Sequence, residues 1–295
     1  MPKALCNGIN IAYEEFGDKN DPVVLMLQGL NVPCTGWPPS LIESLVAEGY
    51  RVITPDNRDV GQSDTLDHLG KPNFLWQLFR RTLGLRVKTP YQLDDMAQDM
   101  LGLIDALGLE KVHLVGVSMG GMYGQIIALQ ASERIASFTS IMSTTNRRGL
   151  PGPTKEVRDL LFRGPADRSE QGVAKFFWDL WRALGSPGYP LPDDELRAFL
   201  GRIFARGMTA GGVARQQGAI LAAPGREDKL RALKMPVQII HGDADPLIPL
   251  ACGLDTANAI PGAVLHTVEG MGHDLPTALV PRIAGFITSL ARQAA

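Results

Sequence analysis

The sequence predicts an α/β protein with a mostly parallel central sheet, helices on both faces of that sheet, and one helical insertion. Short apolar runs typical of buried strands alternate with segments whose apolar residues recur at helical spacing. Strand-like runs then disappear over residues 146–233, where Pro and Gly interrupt helical patterns. We therefore expect a core made of residues 1–145 and 234–295 and a helical cap, or lid, made of residues 146–233.

The first half of the chain supplies most of the expected sheet. The segment GINIAYEEFGD alternates apolar and polar residues and predicts an edge strand, and VVLMLQGL, which follows it in the chain, predicts a buried strand. SLIESLVAEG has helical spacing, and YRVITPDNRDVGQSD predicts a strand that leads into a loop. LDDMAQDMLGLIDALGL and MGGMYGQIIALQASE predict helices, while KVHLVGVS and IASFTSIMST predict strands. The pattern is that of repeated β-α units.

The last third returns to the sheet after the insertion. MPVQIIHGDADPLIP and AVLHTVEGMGHDLP each begin with an apolar, strand-like run and continue into a polar loop. RIAGFITSLARQ then predicts an amphipathic helix that closes the chain.

Composition excludes several classes of partner. The formal net charge is −2 and no long run of one sign occurs, so we expect no nucleic-acid partner. No apolar run approaches the roughly 20 residues needed to span a bilayer, and we expect no membrane partner. The cysteines Cys6, Cys34 and Cys252 lack metal-ligand spacing and are odd in number, which predicts no metal site, no disulfide framework and a cytoplasmic location.

A serine between glycines follows the apolar strand KVHLVG. Residues 116–120, GVSMG, fit the pattern G-x-S-x-G, here with a strand before it and a helix after it. A sharp strand-to-helix turn leaves no room for side chains at Gly116 and Gly120, and it presents Ser118 above the sheet at a helix N-terminus. Ser118 is therefore the candidate nucleophile.

A serine nucleophile needs a base, and the base needs a group that orients it. His273 lies in a glycine-bracketed turn after the last predicted strand, and Asp243 and Asp245 directly follow the strand VQII. The order Ser, Asp, His along the chain is the one that α/β-hydrolases use.

With these motifs in place, the whole chain resembles the α/β-hydrolase fold family, serine esterase type. The family pattern H-G-x-x-D-x-x-x-P matches HGDADPLIP and implies that Asp245 is the acid. The resemblance also implies an oxyanion hole made of the backbone N–H groups of Leu30 and Met119, and no cofactor. Gln28 stands where relatives usually have histidine, which leaves the bracing of this loop unexplained.

Within the family, four motifs are closest to the aclacinomycin methylesterase group, namely LQGLN...GWP, RDVGQS, SMG and GMGHDLP. The resemblance implies hydrolysis of a small-molecule carboxylic ester through an acyl-enzyme. Two alternatives stay open: a C–C bond or lactone hydrolase with the same triad, and a non-catalytic receptor for a small ligand.

Other notable residues have structural interpretations. His113, His241, His266, Arg58 and Asp59 are expected to be structural, and His68 to be solvated. Cys34 is expected to be a buried thiol, and Asp274 a weak rival to Asp245 because neighbouring side chains in a turn point apart.

Aromatic residues concentrate in two regions with helical spacing. Part of the first set is expected to line an apolar pocket under the lid; its members are Phe176, Phe177, Trp178, Trp181, Phe199 and Phe204. The segment NFLWQLFRR at residues 73–81 is apolar enough to join the lid or to form a homodimer contact.

Overall fold

The structure, a computed structural model, describes residues 1–167 and 169–294. Within those residues eight strands form one sheet in the order β1-β2-β4-β3-β5-β6-β7-β8. The strands are β1 Lys3–Cys6, β2 Ile9–Phe16, β3 Val23–Leu27, β4 Arg51–Pro55, β5 Val112–Val117, β6 Ile135–Ile141, β7 Val237–Gly242 and β8 Val264–Val268. β2 pairs antiparallel with β1 and with β4, and all other pairs are parallel. The predicted fold class is confirmed.

Eleven α-helices accompany the sheet in the described residues. They are α1 Pro39–Ala47, α2 Phe74–Thr82, α3 Leu93–Ala106, α4 Met119–Gln130, α5 Lys155–Arg163, α6 Glu170–Leu184, α7 Asp193–Arg206, α8 Ala210–Ala222, α9 Glu227–Leu230, α10 Leu250–Ala259 and α11 Val280–Gln293. Helix α10 joins β7 to β8 and has no counterpart in the sequence predictions, because LACGLDTANA is short and only weakly amphipathic. Among these helices none is both long enough and apolar enough to cross a membrane.

The sheet is buried between two helical layers. On one face α3 and α4 pack with apolar side chains such as Met100 and Ile127, and on the other α1 and α11 pack with side chains such as Leu41 and Ile287. Central strand β5 is buried at every residue. Parallel strands covered on both faces must be apolar throughout, which explains why their runs lack alternation.

The N-terminal strand differs from its prediction. GINIAYEEFGD forms β2, which is second from the edge, because residues 3–6 fold back on it as β1. Asn7 and Gly8 make the turn with φ of 48° and 82°, in the left-handed region that two-residue hairpin turns require. The Asn-Gly pair was the signal for this hairpin.

Helices α5 to α9 lie between β6 and β7, where the helical insertion is predicted. Helix α8 is tied to the core by a buried ion pair in which Arg215 donates to both carboxylate oxygens of Asp59, at 2.6 and 2.9 Å. Helix α2, although earlier in the chain, packs against α8. The division at residues 146 and 233 stays a prediction; we refer to residues 146–233 as the inserted segment.

Candidate active site

Ser118 occupies the sharp turn between β5 and α4 in a strained backbone conformation. Its φ and ψ are 54° and −119°, a region that non-glycine residues rarely adopt. A Cβ at Gly116 would lie 2.4 Å from the carbonyl oxygen of Gly120, and a Cβ at Gly120 would lie 2.2 Å from the carbonyl oxygen of Leu27. Because neither position can hold a side chain, the two glycines are what permit this turn. Ser143 Oγ braces it by donating to the Ser118 carbonyl at 2.7 Å.

The structure brings Ser118, His273 and Asp245 together from the carboxyl ends of three parallel strands. His273 Nε2 lies 3.0 Å from Ser118 Oγ, and His273 Nδ1 lies 2.7 Å from Asp245 Oδ2. A carboxylate only accepts, so Nδ1 carries the proton and Nε2 is left free to accept the serine proton. This is the hydrogen-bond chain that an activated serine requires.

Asp245 is buried, and both of its carboxylate oxygens accept hydrogen bonds. Its Oδ1 accepts from the backbone N–H groups of Leu247 at 2.9 Å and Ile248 at 2.8 Å, while its Oδ2 faces His273. Burial by itself raises the pKa of Asp245, but the adjacent His273 and the backbone N–H of Ile248 outweigh burial and lower the pKa below its ordinary value. Asp245 is therefore ionised over the whole range in which histidine titrates.

Asp243, the other carboxylate after β7, lies outside this chain. Its Oδ1 accepts from the backbone N–H of Gly270 at 2.7 Å, which ties the β7 loop to the turn after β8. Asp243 is therefore a turn residue that joins two loops.

His241 lies directly behind the acid. Its Nε2 is 2.8 Å from the carbonyl oxygen of Ile248 and 3.7 Å from Asp245 Oδ2. Burial lowers the pKa of His241, which favours the neutral ring. A neutral Nε2–H that donates to Ile248 braces the loop that carries Asp245.

The predicted oxyanion donors come from two loops that converge on Ser118. A Cβ at Gly29 would lie 3.2 Å from Ser118 Cβ, so the loop after β3 runs directly over the serine. Met119 N–H is at the first turn of α4, and Leu30 N–H is in the loop. Within the described residues, neither amide donates a hydrogen bond to the protein.

The loop after β3 is held by contacts that the sequence did not reveal. Gln216, on α8 of the inserted segment, accepts from the Asn31 backbone N–H at 2.8 Å and donates to the Arg58 carbonyl at 2.9 Å. The Gln28 carbonyl accepts from Asn57 Nδ2 at 3.1 Å. These bonds position the Leu30 amide in the absence of a histidine at residue 28.

Three consecutive residues of the histidine turn bond to the end of helix α6. His273 N–H donates to the Leu184 carbonyl at 2.8 Å, and Gly272 N–H donates to Ser186 Oγ at 2.8 Å. Ser186 Oγ in turn donates to the carboxyl group of Asp274. The inserted segment thus contacts the backbone that carries the imidazole.

Asp274 is buried beside the site without joining its hydrogen-bond chain. Burial raises the pKa of Asp274 to about 6, although the Ser186 hydroxyl and the nearby His273 act in the opposite direction. The side chain bonds to Ser186 rather than to the imidazole, which agrees with the expectation that adjacent residues in the turn point apart.

A cavity of about 2130 Å³ opens above Ser118 and His273. Ligand pockets for small molecules commonly measure roughly 300–1,000 Å³, so a bulky substrate fits here. Five of the six aromatic residues noted in the inserted segment line the cavity, namely Phe176, Phe177, Trp181, Phe199 and Phe204. Trp178 instead lies beneath the guanidinium groups of Arg182 and Arg197, at 5.1 and 5.7 Å from its ring centre.

The remaining residues singled out from the sequence lie outside the hydrogen-bond chain of the site. His113 Nδ1 lies 2.9 Å from Ser137 Oγ, and His266 stacks on Phe286. His68 is exposed, as expected. Cys34 is buried, and burial strongly raises the pKa of its thiol, so no reactive thiolate forms there.

Arg58 is also structural. It forms a buried ion pair with Asp99, with its Nε 2.6 Å from the carboxylate. Among the described residues no cluster of three or more His, Cys, Asp or Glu side chains could hold a metal ion.

Comparison with known proteins defines the class. The family model described as alpha/beta hydrolase fold matches residues 22–276, and the chain belongs to this family. Rhodomycin D methylesterase from Streptomyces peucetius is 29% identical, over 97% of this chain and 96% of that protein. This similarity confirms the resemblance to the methylesterase group.

Relatives named for a different activity are also found. A 2-hydroxy-6-oxononadienedioate/2-hydroxy-6-oxononatrienedioate hydrolase from Cupriavidus pinatubonensis is 28% identical, over 85% of this chain and 80% of that protein. Among solved structures, a meta-cleavage product hydrolase from Pseudomonas fluorescens superposes with a TM-score of 0.76 at 21% identity, over 100% of this chain and 98% of that chain.

Proposed function

We propose that this protein is a serine hydrolase of small-molecule carboxylic esters. The observation that carries the proposal is the continuous hydrogen-bond chain Ser118, His273, Asp245, with heavy-atom distances of 3.0 and 2.7 Å. Both lie within the 2.6–3.2 Å range in which a general base takes a proton directly.

The reaction follows from the direction of these bonds. His273 Nε2 takes the Ser118 proton as Oγ attacks the ester carbonyl carbon, and Asp245 stabilises the imidazolium that forms. The imidazolium then gives this proton to the departing alcohol oxygen, which leaves an acyl group on Ser118. Water, deprotonated by the same imidazole, attacks the acyl carbonyl and releases the acid.

The oxyanion of each tetrahedral intermediate is stabilised by Leu30 and Met119. Their N–H groups are free of protein acceptors in the described residues and flank Ser118, and Met119 N–H also lies at the positive end of the α4 dipole. Donors of this kind contribute about 3 to 4 kcal/mol each to transition-state stabilisation.

A methyl ester of a bulky, largely apolar acid is the substrate class that we favour. The support is twofold: the relative named rhodomycin D methylesterase aligns over 97% of this chain, and the aromatic-lined cavity of about 2130 Å³ accommodates a large acyl group while methanol needs little room. The five cavity aromatics then contact the acyl side of the ester.

C–C bond hydrolysis is the second candidate, because a relative named as a hydrolase of 2-hydroxy-6-oxononadienedioate, a ketone without an ester group, aligns over 85% of this chain. A ketone substrate would use the same triad. Lactone hydrolysis and a non-catalytic receptor are weaker alternatives; a receptor requires that no ester be turned over.

One experiment separates these functions. The purified protein is assayed with methyl esters whose acyl groups grow from acetyl to a three-ring aromatic acid, and in parallel with a ring-cleavage dienoate ketone and with a lactone. We expect methanol release, with kcat/KM that rises with acyl size and is lost in Ser118→Ala. Turnover of the ketone alone would support the C–C hydrolase, and binding without turnover would support the receptor.

Several predictions accompany this proposal. We retain a lid made of residues 146–233, supported by the bonds from α6 and α8 to the site loops. A cytoplasmic location is supported by the three free, buried cysteines. A homodimer stays a prediction that size-exclusion chromatography with light scattering can test.

A further inference from the structure

The exposed apolar residues of this protein are concentrated on one surface. Of the twelve large apolar side chains that are exposed in the described residues, eight lie in two short segments: Leu69, Leu75, Trp76, Phe79, Leu83, Leu85, Leu161 and Phe162. The rings of Phe74 and Phe162 are 6.1 Å apart, so α2 and α5 contribute to one continuous surface. We call this surface the α2 face. Contiguous exposed apolar surface of this kind marks an interaction site.

The same surface is strongly basic. Residues 69–92 contain five cations and no Asp or Glu, although the whole chain has a net charge of −2. The five cations are Lys71, Arg80, Arg81, Arg86 and Lys88. The Arg81 guanidinium is turned inward, because it donates to the Leu221 carbonyl and to Asn146 Oδ1, which leaves four of the cations for a partner. None of them forms an ion pair within residues 1–167 and 169–294. Helix α5 adds three cations and two acids. The partner of the α2 face must therefore be anionic as well as apolar.

The α2 face continues into the wall of the active-site cavity. Lys71, Leu75 and Leu161 are exposed and also line the cavity. A partner bound to this face would lie beside the entrance through which an apolar substrate reaches Ser118.

We propose that the α2 face docks on an anionic lipid surface. Trp76 and Phe79 stack with ring centres 5.5 Å apart and are 57% and 49% exposed. Helix α2 is short and amphipathic, and it therefore presents two exposed aromatic rings to solvent among basic residues. Aromatic and leucine side chains that enter the interface, with arginine and lysine at the headgroups, are the pattern of surface-bound helices. Self-association through the same face would bring four like charges from each copy together.

This proposal concerns peripheral contact and departs from the sequence expectation of no membrane partner, which depends on the lack of a spanning segment. Docking itself does not depend on catalysis. Its consequence, the collection of apolar esters from the lipid phase, rests on the proposed function.

The test is flotation of the purified full-length protein with vesicles at low salt. One set contains phosphatidylcholine alone, and the other contains phosphatidylcholine with phosphatidylglycerol. We expect flotation with the anionic set, loss of binding at high salt, and little binding to phosphatidylcholine. The variant Arg86→Glu/Lys88→Glu, at two exposed positions outside the cavity, should bind at least about 30-fold more weakly, because two basic contacts with the headgroups are lost and two acidic side chains are added.

Matched variants remove the apolar contribution. Trp76→Ala/Phe79→Ala should weaken binding about tenfold or more, since two exposed aromatic anchors are lost. The controls are Leu254→Ala/Val264→Ala, which are exposed apolar sites elsewhere, and Lys111→Glu/Lys234→Glu, which make the same change in charge. Both controls should float as the wild type does.

Three results would overturn the proposal: no flotation with anionic vesicles, equal loss in the controls, or equal binding to phosphatidylcholine. A wild-type dimer that only the α2-face variants convert to monomers would assign the face to self-association instead. Hydrolysis of a water-soluble ester should be unchanged in the α2-face variants. If the protein floats but hydrolyses nothing, the docking face stands and the proposed activity fails.

Discussion

The backbone N–H of His273 donates a 2.8 Å hydrogen bond to the carbonyl of Leu184, the last residue of helix α6. The proposed catalytic base is thereby held by the inserted segment as well as by its own turn. Movement of α6 would move the imidazole relative to Ser118. Substrate that fills the cavity beneath α6 can therefore influence the geometry of the base directly.

Ser186→Ala tests this connection. The substitution removes the acceptor of the Gly272 N–H and the donor to Asp274, so we expect kcat to fall about tenfold, as for loss of one or two buried hydrogen bonds. Ser186→Thr, which keeps the hydroxyl, should recover most of the rate. Ser44→Ala, which removes a hydroxyl bonded within surface helix α1, is the control and should leave kcat unchanged. A kcat for Ser186→Ala equal to that of the control would show that the hydrogen bonds of Ser186 do not position His273.

Gln216 should matter for catalysis although it does not touch Ser118. Gln216→Met keeps the volume but leaves the Asn31 N–H without its acceptor, which loosens the loop that carries the Leu30 amide. We expect kcat to fall about tenfold with a small change in KM, since the oxyanion forms only after the substrate is bound. Gln98→Met, at an exposed glutamine pair, is the control. A pure rise in KM would contradict a role in positioning the oxyanion hole.

Asp245→Asn and Asp243→Asn distinguish the two carboxylates that follow β7. Asparagine at 245 cannot stabilise the imidazolium and favours the wrong tautomer, so kcat at pH 7 should fall about 10⁴-fold. Asparagine at 243 keeps an oxygen for the Gly270 N–H and should retain nearly full activity. A larger loss of kcat for the Asp243 variant than for the Asp245 variant would show that Asp243, and not Asp245, is the acid.

Asp274→Asn is expected to stabilise the protein at neutral and alkaline pH. The folded pKa of about 6 exceeds the ordinary value of 3.8, so the fold binds the proton more tightly than the unfolded chain does. This carboxyl group therefore disfavours folding by an amount that grows as pH rises from about 4 to 6 and reaches about 3 kcal/mol above that window. Urea unfolding at pH 8 should show a higher free energy of unfolding for the variant, and the two proteins should converge near pH 4. A variant that is less stable at pH 8 would contradict the sign of this effect.

The predictable part of this molecule is the part encoded by local patterns. The positions of Ser118 and His273 follow from short motifs at strand ends, because the carboxyl ends of parallel strands share one edge of the sheet. The N-terminal hairpin is equally local, because the Asn7–Gly8 pair encodes its turn. Long-range partners were not predictable: nothing in the sequence near Gln216 indicates that it bonds to Asn31, 185 residues earlier.

Which aromatic side chains line the cavity was likewise not predictable from the sequence. Helical spacing put Phe177 and Trp178 in one stripe, yet only Phe177 lines the cavity. Arg182 and Arg197 lie over the ring of Trp178, which packs against apolar side chains of α7, so its position depends on how α6 packs against α7. Which face of each helix points inward is decided by tertiary packing.

The central claim is that Ser118 Oγ becomes acylated with His273 as its base. The most direct measurement is intact and peptide mass spectrometry after reaction with a fluorophosphonate, on the wild type, Ser118→Ala and His273→Ala. We expect one adduct on the peptide containing residue 118 in the wild type, none in Ser118→Ala, and labelling slowed by about 10³-fold or more in His273→Ala. An adduct on another residue, or full ester turnover by Ser118→Ala, would contradict the account.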